Sequence, residues 1–254
     1  AVFAHRKRKG MTYLDAARLL KSRPYFASQM VKSGHADGFV GGVSRNYGDV
    51  LRPTIELIGS ADDAHCIIGC YMMNVKGRTI FLADATVNVY PDSRTLAEIA
   101  VQTAKVARRF GVDPKVAMLS FSNFGSSRAQ RSERIEEAIE LARELDPSLA
   151  IDGPMQGDTA LNAAVQGEYE FMSFSGPANV LVLPNLAAAN IAYKLLEELG
   201  DAEMTGPILE GMDKPVQLVA RQDGVRHIVN MAAICAADSI RQDSYWESLI
   251  TAYV

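Results

Sequence analysis

Apolar positions along the chain recur with two distinct periods. Between residues 93 and 110, Leu96, Ile99, Ala100, Thr103 and Val106 fall three or four apart, on one side of an α-helix that Gly111 would end. Similar spacing predicts a helix over 12–21, capped by Thr12, with Leu14, Ala17 and Leu20 on one face. Further helices are predicted over 24–33 with Pro24 at the start, 49–58 with Pro53 inside, and 132–145, 158–165, 187–199 and 227–239. Short continuous apolar runs predict strands at 36–43, 65–73, 79–83, 116–120, 150–152, 179–183, 207–211 and 216–220. The runs at 65–73 and 79–83 flank Lys76 and Gly77, a hairpin signal. Elsewhere strands and helices alternate. That order predicts an α/β fold, three layers (α/β/α) around a mainly parallel sheet.

Length and charge narrow the picture. The chain has 254 residues, of which 48% are apolar and 22% charged. That is the balance of a globular protein able to bury a core without disulfides or structural metal. Its net charge of -4 argues against sequence-blind nucleic-acid binding, which needs a basic excess. No apolar run approaches the roughly 18 residues of a membrane span. Three cysteines, Cys66, Cys70 and Cys235, are too few and too odd in number for a disulfide framework and fit a reducing, cytoplasmic setting. The four histidines are scattered, and none joins a cysteine at zinc-ligand spacing.

Parallel sheets bind ligands at the carboxyl ends of their strands. Two loops in such places carry polar residues. The first is SFSNFGSS (120–127), whose Ser120, Ser122, Asn123, Gly125 and Ser126 precede a helix and could offer N–H and hydroxyl groups to an anion. It is not a P-loop, since no Gly-Lys-Ser/Thr follows. The second loop holds Asp152 and Asp158, suited to a carboxylate pair, to metal ligation, or simply to turns and caps. Arg6, Arg45, Arg52 and Arg221 are the cationic candidates, because a planar guanidinium can donate two parallel hydrogen bonds to phosphate.

Nine short segments, in order along the chain, together resemble the phosphate acetyltransferase family. They are RKRKGMT (6–12), GHADG (34–38), ADATVN (83–88), LAEIA (96–100), LSFSNFG (119–125), SGPANVL (175–181), ANIAYK (189–194), GPIL (206–209) and KPV (214–216). Within the family, SFSNFG and SGPAN look most similar to the phosphotransacetylase-like domain fused behind malic enzymes. The start at Ala1 fits a piece of a longer polypeptide.

The resemblance implies a phosphotransacetylase-like fold (isocitrate/isopropylmalate dehydrogenase-like) with two α/β sub-domains around a cleft. Residues 1–63 and 207–254 would form the first, lacking its N-terminal part, and residues 64–206 the second. The family moves an acetyl group between CoA and phosphate. Its arginines hold phosphate groups, and a serine and an aspartate assist the transfer. Arg6, Arg52 and Arg221 match the family arginines. The serine position, however, is Ala220, the aspartate position is His227, and the usual Ser-Arg-Gly-Cys run reads ARQD (220–223). Loss of a transition-state donor costs on the order of 10²- to 10³-fold in rate. Loss of a general base costs about 10²- to 10⁴-fold. Acyl-CoA binding needs neither group.

The resemblance therefore implies an acetyl-CoA-binding regulatory domain of a malic enzyme, with no catalytic residue of its own. NADP and a divalent metal (Mg or Mn) would belong to the malate-oxidising half of the parent, and a homo-oligomer is expected. Two alternatives stand beside it. One is an active phosphate acetyltransferase using His227 as base, and the other an oligomerisation module with a vestigial site.

Overall fold

A computed structural model describes residues 2–126 and 130–253, with side chains described except at 5, 9, 130–132 and 242–253. The chain divides into two compact units, residues 1–64 with 212–254, and residues 65–211.

The second unit holds a six-stranded sheet. The hairpin predicted at Lys76-Gly77 joins β2 (Ile68–Val75) to β3 (Arg78–Ala83). Lys76 and Gly77 have φ of 49° and 73°, the two consecutive positive values that suit the twist of a tight hairpin. With β4 (Lys115–Leu119), β5 (Ala150–Met155), β6 (Val180–Val182) and β7 (Glu203–Glu210), the order is β5-β4-β6-β3-β2-β7. The pairs β3/β6, β6/β4 and β4/β5 are parallel, while β2 runs antiparallel to β3 and β7.

Alternation along β3 separates the two faces of this sheet. Ile80 and Leu82 join a core with Tyr71, Met73, Met155, Leu181 and Tyr193. Phe81 lies on the other face and meets Phe110 at 6.1 Å. That face is covered by α5 (Ser93–Arg109), whose Leu96, Ile99, Ala100 and Val106 are buried as their spacing predicted, and by α6 (Gln130–Leu145). The opposite face is covered by α9 (Leu186–Leu199), which brings Tyr193 onto Tyr71 with ring centroids 4.3 Å apart. The result is the expected three-layer arrangement with a mainly parallel sheet. The helix predicted over 158–165 is two pieces, α7 (Gly157–Leu161) and α8 (Ala163–Gln166), because Asn162 turns extended and caps α8.

The first unit contains α1 (Val2–Arg6), α2 (Tyr13–Leu19), α3 (Arg23–Lys32), α4 (Tyr47–Leu57) and α10 (Val225–Tyr253). They accompany a two-stranded parallel sheet of β1 (Phe39–Gly41) and β8 (Val216–Leu218). Thr12 caps α2 as expected. It does so as a capping box with Asp15, whose carboxyl is held below its ordinary range chiefly by the Thr12 hydroxyl. Gly42 ends β1 at φ 139°, where a Cβ would lie 1.9 Å from the Val219 carbonyl oxygen. Only glycine fits that approach.

Residues 207–211 were assigned above to the first unit, and the structure puts them in the second. What reads as a short run after Pro207 belongs to the longer β7, paired along β2 from Glu203 opposite Asn74 to Glu210 opposite Ile68. Pro207 is compatible with this because β7 is an edge strand among the described residues and Pro207 falls at the break in pairing where the register shifts between Cys70 and Met72. Among the described residues, no helix is long and apolar enough to cross a membrane.

Candidate functional site

In the second unit, the loops leaving β3, β4, β5 and β6 gather at the carboxyl ends of the parallel strands. The loop after β3 is wound around Asp84, which is 3% exposed. Its Oδ1 accepts N–H bonds from Gly69 (3.1 Å), Thr86 (3.0 Å) and Val87 (3.2 Å). Its Oδ2 accepts from the backbone (2.8 Å) and amide (2.6 Å) nitrogens of Asn88. Burial pushes this carboxyl up from its ordinary range, against the opposing pull of those donors. Arg134 steadies the neighbouring turns, donating to the carbonyls of Pro91 (3.0 Å) and Pro184 (2.9 Å).

The serine-rich loop after β4 is fastened to the loop after β5. Ser120 and Phe124 donate backbone N–H to Met155 (2.8 Å) and Pro154 (2.7 Å). Asn123 uses its whole amide here. Its Nδ2 donates to Gln156 Oε1 and Tyr169 Oη, each 3.2 Å, and its Oδ1 accepts from the Gln156 N–H at 2.7 Å. Phe124 takes a positive φ of 44° and packs against Tyr169 and Phe171, 5.0 and 4.9 Å between centroids. Ser122 is 7% exposed, and among the described residues its hydroxyl has no partner. Gly125, with φ of 75°, and Ser126 stay exposed. Entry into α6 falls on 127–129, outside the described residues, and Ser127 with it.

Asp152 and Asp158 serve the backbone. Asp152 accepts from the N–H of Gly153 and of Ser173, and Asp158 from that of Thr159. Among the described residues no group of three His, Cys, Asp or Glu side chains could hold a metal ion. Burial pushes up all three thiols, Cys66 to about 12 and Cys235 to about 11. None is a ready thiolate at neutral pH.

In the first unit, two of the four candidate arginines meet on Glu56, a residue with no role among the sequence-based expectations. Arg52 Nε donates to Glu56 Oε1 at 2.9 Å. Arg6 Nη1 lies 3.5 Å from Glu56 Oε2 and donates to the Glu56 carbonyl at 3.2 Å. The Tyr25 hydroxyl donates to Oε2 at 2.7 Å. Burial raises the Glu56 carboxyl, but the bonds from Arg52 and Tyr25 and the charge of Arg6 outweigh it and hold it below the ordinary glutamate range. Arg6 Nε is buried without a partner among the described residues. Arg52 and Glu56 sit one helical turn apart, a spacing that was legible. Tyr25 comes from α3, and nothing local foretold it.

The third arginine leaves the carboxyl end of β8. Ala220, standing where the resemblance called for serine, donates its N–H to Asp223 Oδ2 at 2.6 Å. The same oxygen lies 3.3 Å from His227 Nε2, and each of the two side chains is 17% exposed. Asp223 and His227 are thus brought together, again one turn apart. Arg221 is exposed, and among the described residues it makes no hydrogen bond or ion pair. Arg45 is likewise exposed in its turn.

Residues 1–236 match the family model described as phosphate acetyl/butaryl transferase. The chain is 40% identical over 236 residues to an NADP-dependent malic enzyme of Rhizobium meliloti, covering 92% of this chain but 31% of that protein. It is 35% identical over 239 residues to a phosphate acetyltransferase of Bacillus subtilis, covering 94% of this chain and 74% of the transferase. A phosphotransacetylase crystal structure from Streptococcus pyogenes superposes with a TM-score of 0.89 at 37% identity, over 94% of this chain and 74% of that one. The chain therefore spans about a third of the malic enzyme's length and about three quarters of the transferases'.

Proposed function

Because the chain belongs to the phosphate acetyl/butaryl transferase family, we propose that it is the phosphotransacetylase-like domain of a malic enzyme and binds acetyl-CoA as a regulatory ligand without transferring its acetyl group. One observation carries this reading. By the resemblance, Arg6, Arg52 and Arg221 match the family's phosphate-holding arginines, while Ala220 stands where the family's serine would precede Arg221. Guanidinium groups contribute to the grip on phosphate. The missing hydroxyl would act only on the charge that develops during transfer. A site that keeps the first and lacks the second retains its ligand. Of the expected ligand-binding residues, Arg6, Arg52 and Arg221 carry this proposal in the first unit; in the second, Ser120, Ser122, Gly125 and Ser126 stay candidates, while the Asn123 amide is already spent on Gln156 and Tyr169.

The similarity to malic enzymes supports a longer polypeptide whose other portion oxidises and decarboxylates malate. NADP and the divalent cation are assigned to that portion, and nothing in this chain is asked to hold them. Regulation follows if acetyl-CoA binds two states of the whole enzyme with different affinity. Self-association and a cytoplasmic setting belong to the same proposal. Calorimetry on this chain is expected to give saturable acetyl-CoA binding. A flat titration at millimolar ligand would sink the reading.

A second reading, active acetyl transfer, is favoured by a specific observation. A carboxylate absent at 227 is supplied nearby by Asp223, 3.3 Å from His227 Nε2, although Nε2 makes no hydrogen bond among the described residues; a histidine paired with a carboxylate is a competent base for a thiol. Acetyl phosphate and CoA decide between the two in a thiol-consumption assay. The regulatory reading expects no turnover above the blank. Turnover that His227→Gln abolishes would establish the transferase.

A further inference from the structure

Glu56 lies where an anion-binding cluster would be expected to exclude a carboxylate. Its two oxygens and its carbonyl engage Arg52, Tyr25 and Arg6. The Glu56 side chain is 19% exposed, whereas that of Arg52 is 77% exposed. Glu56 occupies the Nε edge of the Arg52 guanidinium, so Nη1 and Nη2, the end-on fork that grips two phosphate oxygens, make no hydrogen bond or ion pair among the described residues. Arg6 spends Nη1 on Glu56 and keeps Nη2.

We propose that Glu56 is a positioning residue for a phosphate cradle made by Arg6 and Arg52, and that it sets the cradle's net charge. The proposal rests on the reading that these arginines hold phosphate, and it adds what tunes them. Two guanidiniums against one carboxylate leave a formal charge of +1, on a frame fixed before the ligand arrives. A long side chain held in its binding rotamer gives up less freedom when it binds. The Tyr25 hydroxyl holds the carboxylate in turn and so keeps it from swinging toward the ligand's oxygens. The carboxylate's charge works the other way, because it opposes an incoming anion and so keeps the grip reversible.

These two effects separate by mutation. Glu56→Gln keeps an oxygen for Arg52 Nε and removes the charge. Glu56→Ala removes both. With the whole chain and inorganic pyrophosphate as probe, calorimetry at several salt concentrations is expected to show Glu56→Gln binding about three- to tenfold tighter than wild type, with a steeper salt dependence. Glu56→Ala should bind about tenfold more weakly, its forks unaligned. A merely structural Glu56 would weaken both variants together and leave the salt slope alone, and that result overturns the proposal. So does a Glu56→Gln variant indistinguishable from wild type. Acetyl-CoA titrated in parallel keeps the two ideas apart. Pyrophosphate binding that follows this pattern without any acetyl-CoA binding sinks the effector reading and leaves the role of Glu56 standing.

Discussion

Asp84→Ala is expected to unfold the second unit at temperatures where the native chain stays folded. The carboxylate accepts from four backbone N–H groups, those of Gly69, Thr86, Val87 and Asn88, and from the Asn88 side-chain amide. Alanine offers none of them a partner, and the small void cannot admit water to all of them. A buried donor left unsatisfied costs about 1–3 kcal/mol. If half of these donors find water, the loss is still roughly 3–7 kcal/mol, a large share of the ~5–15 kcal/mol that holds a domain folded. For a unit of this size, that lowers the melting temperature by about 10–20 °C.

The second unit should fail first, since the knot ties β2, through Gly69, to the turn after β3. Calorimetric melting would then separate into two transitions where the units lose their common behaviour. Asp84→Asn should fall between, because its amide retains one acceptor and turns a donor toward other donors. A melting temperature within ~3 °C of wild type for Asp84→Ala would show that the N–H groups find other partners.

Arg221→Ala should remove most acetyl-CoA binding and leave the fold untouched. The side chain is exposed, and among the described residues it has no hydrogen bond or ion pair to lose, so the melting temperature has no reason to move. A hydrogen bond to a charged group contributes about 1.5–3 kcal/mol, which corresponds to ~10- to 100-fold in affinity. Calorimetry with acetyl-CoA, paired with a melting curve, reads both quantities. An unchanged affinity would place the ligand away from the carboxyl end of β8. Arg6→Ala is a poorer probe, because it also strips a part-buried counter-charge from Glu56 and mixes a folding cost with a binding one.

The elements misjudged in the sequence share a cause. β7 was cut short at Gly206-Pro207, a pair that reads locally as a break. Its first residues are extended because β2 lies beside them, with Met72 opposite Thr205 and Met73 opposite Met204. α1 spans five residues, too few for a period to show. The candidate loops were legible as loops, yet their hydrogen bonds were not. Asn123 was expected to offer its amide to an anion, and it is spent on Gln156 and Tyr169. Its partner Tyr169 lies 46 positions away.

By itself, the sequence determined the alternation of helix and strand, the hairpin at Lys76-Gly77 and the helix that became α5, though α5 is buried nearly all round rather than along the one predicted stripe. These depend on residue type and on spacings of a few positions, which backbone geometry converts directly into faces and turns. Only the tertiary structure decided that Arg6, Tyr25 and Arg52 meet on Glu56, that Gly69 donates into the carboxylate of Asp84, and that 207–211 belong with the second unit. Each of these joins segments far apart in the chain. Side-chain partners at such range are fixed by how sheets and helices pack, and no local period in the residues records that.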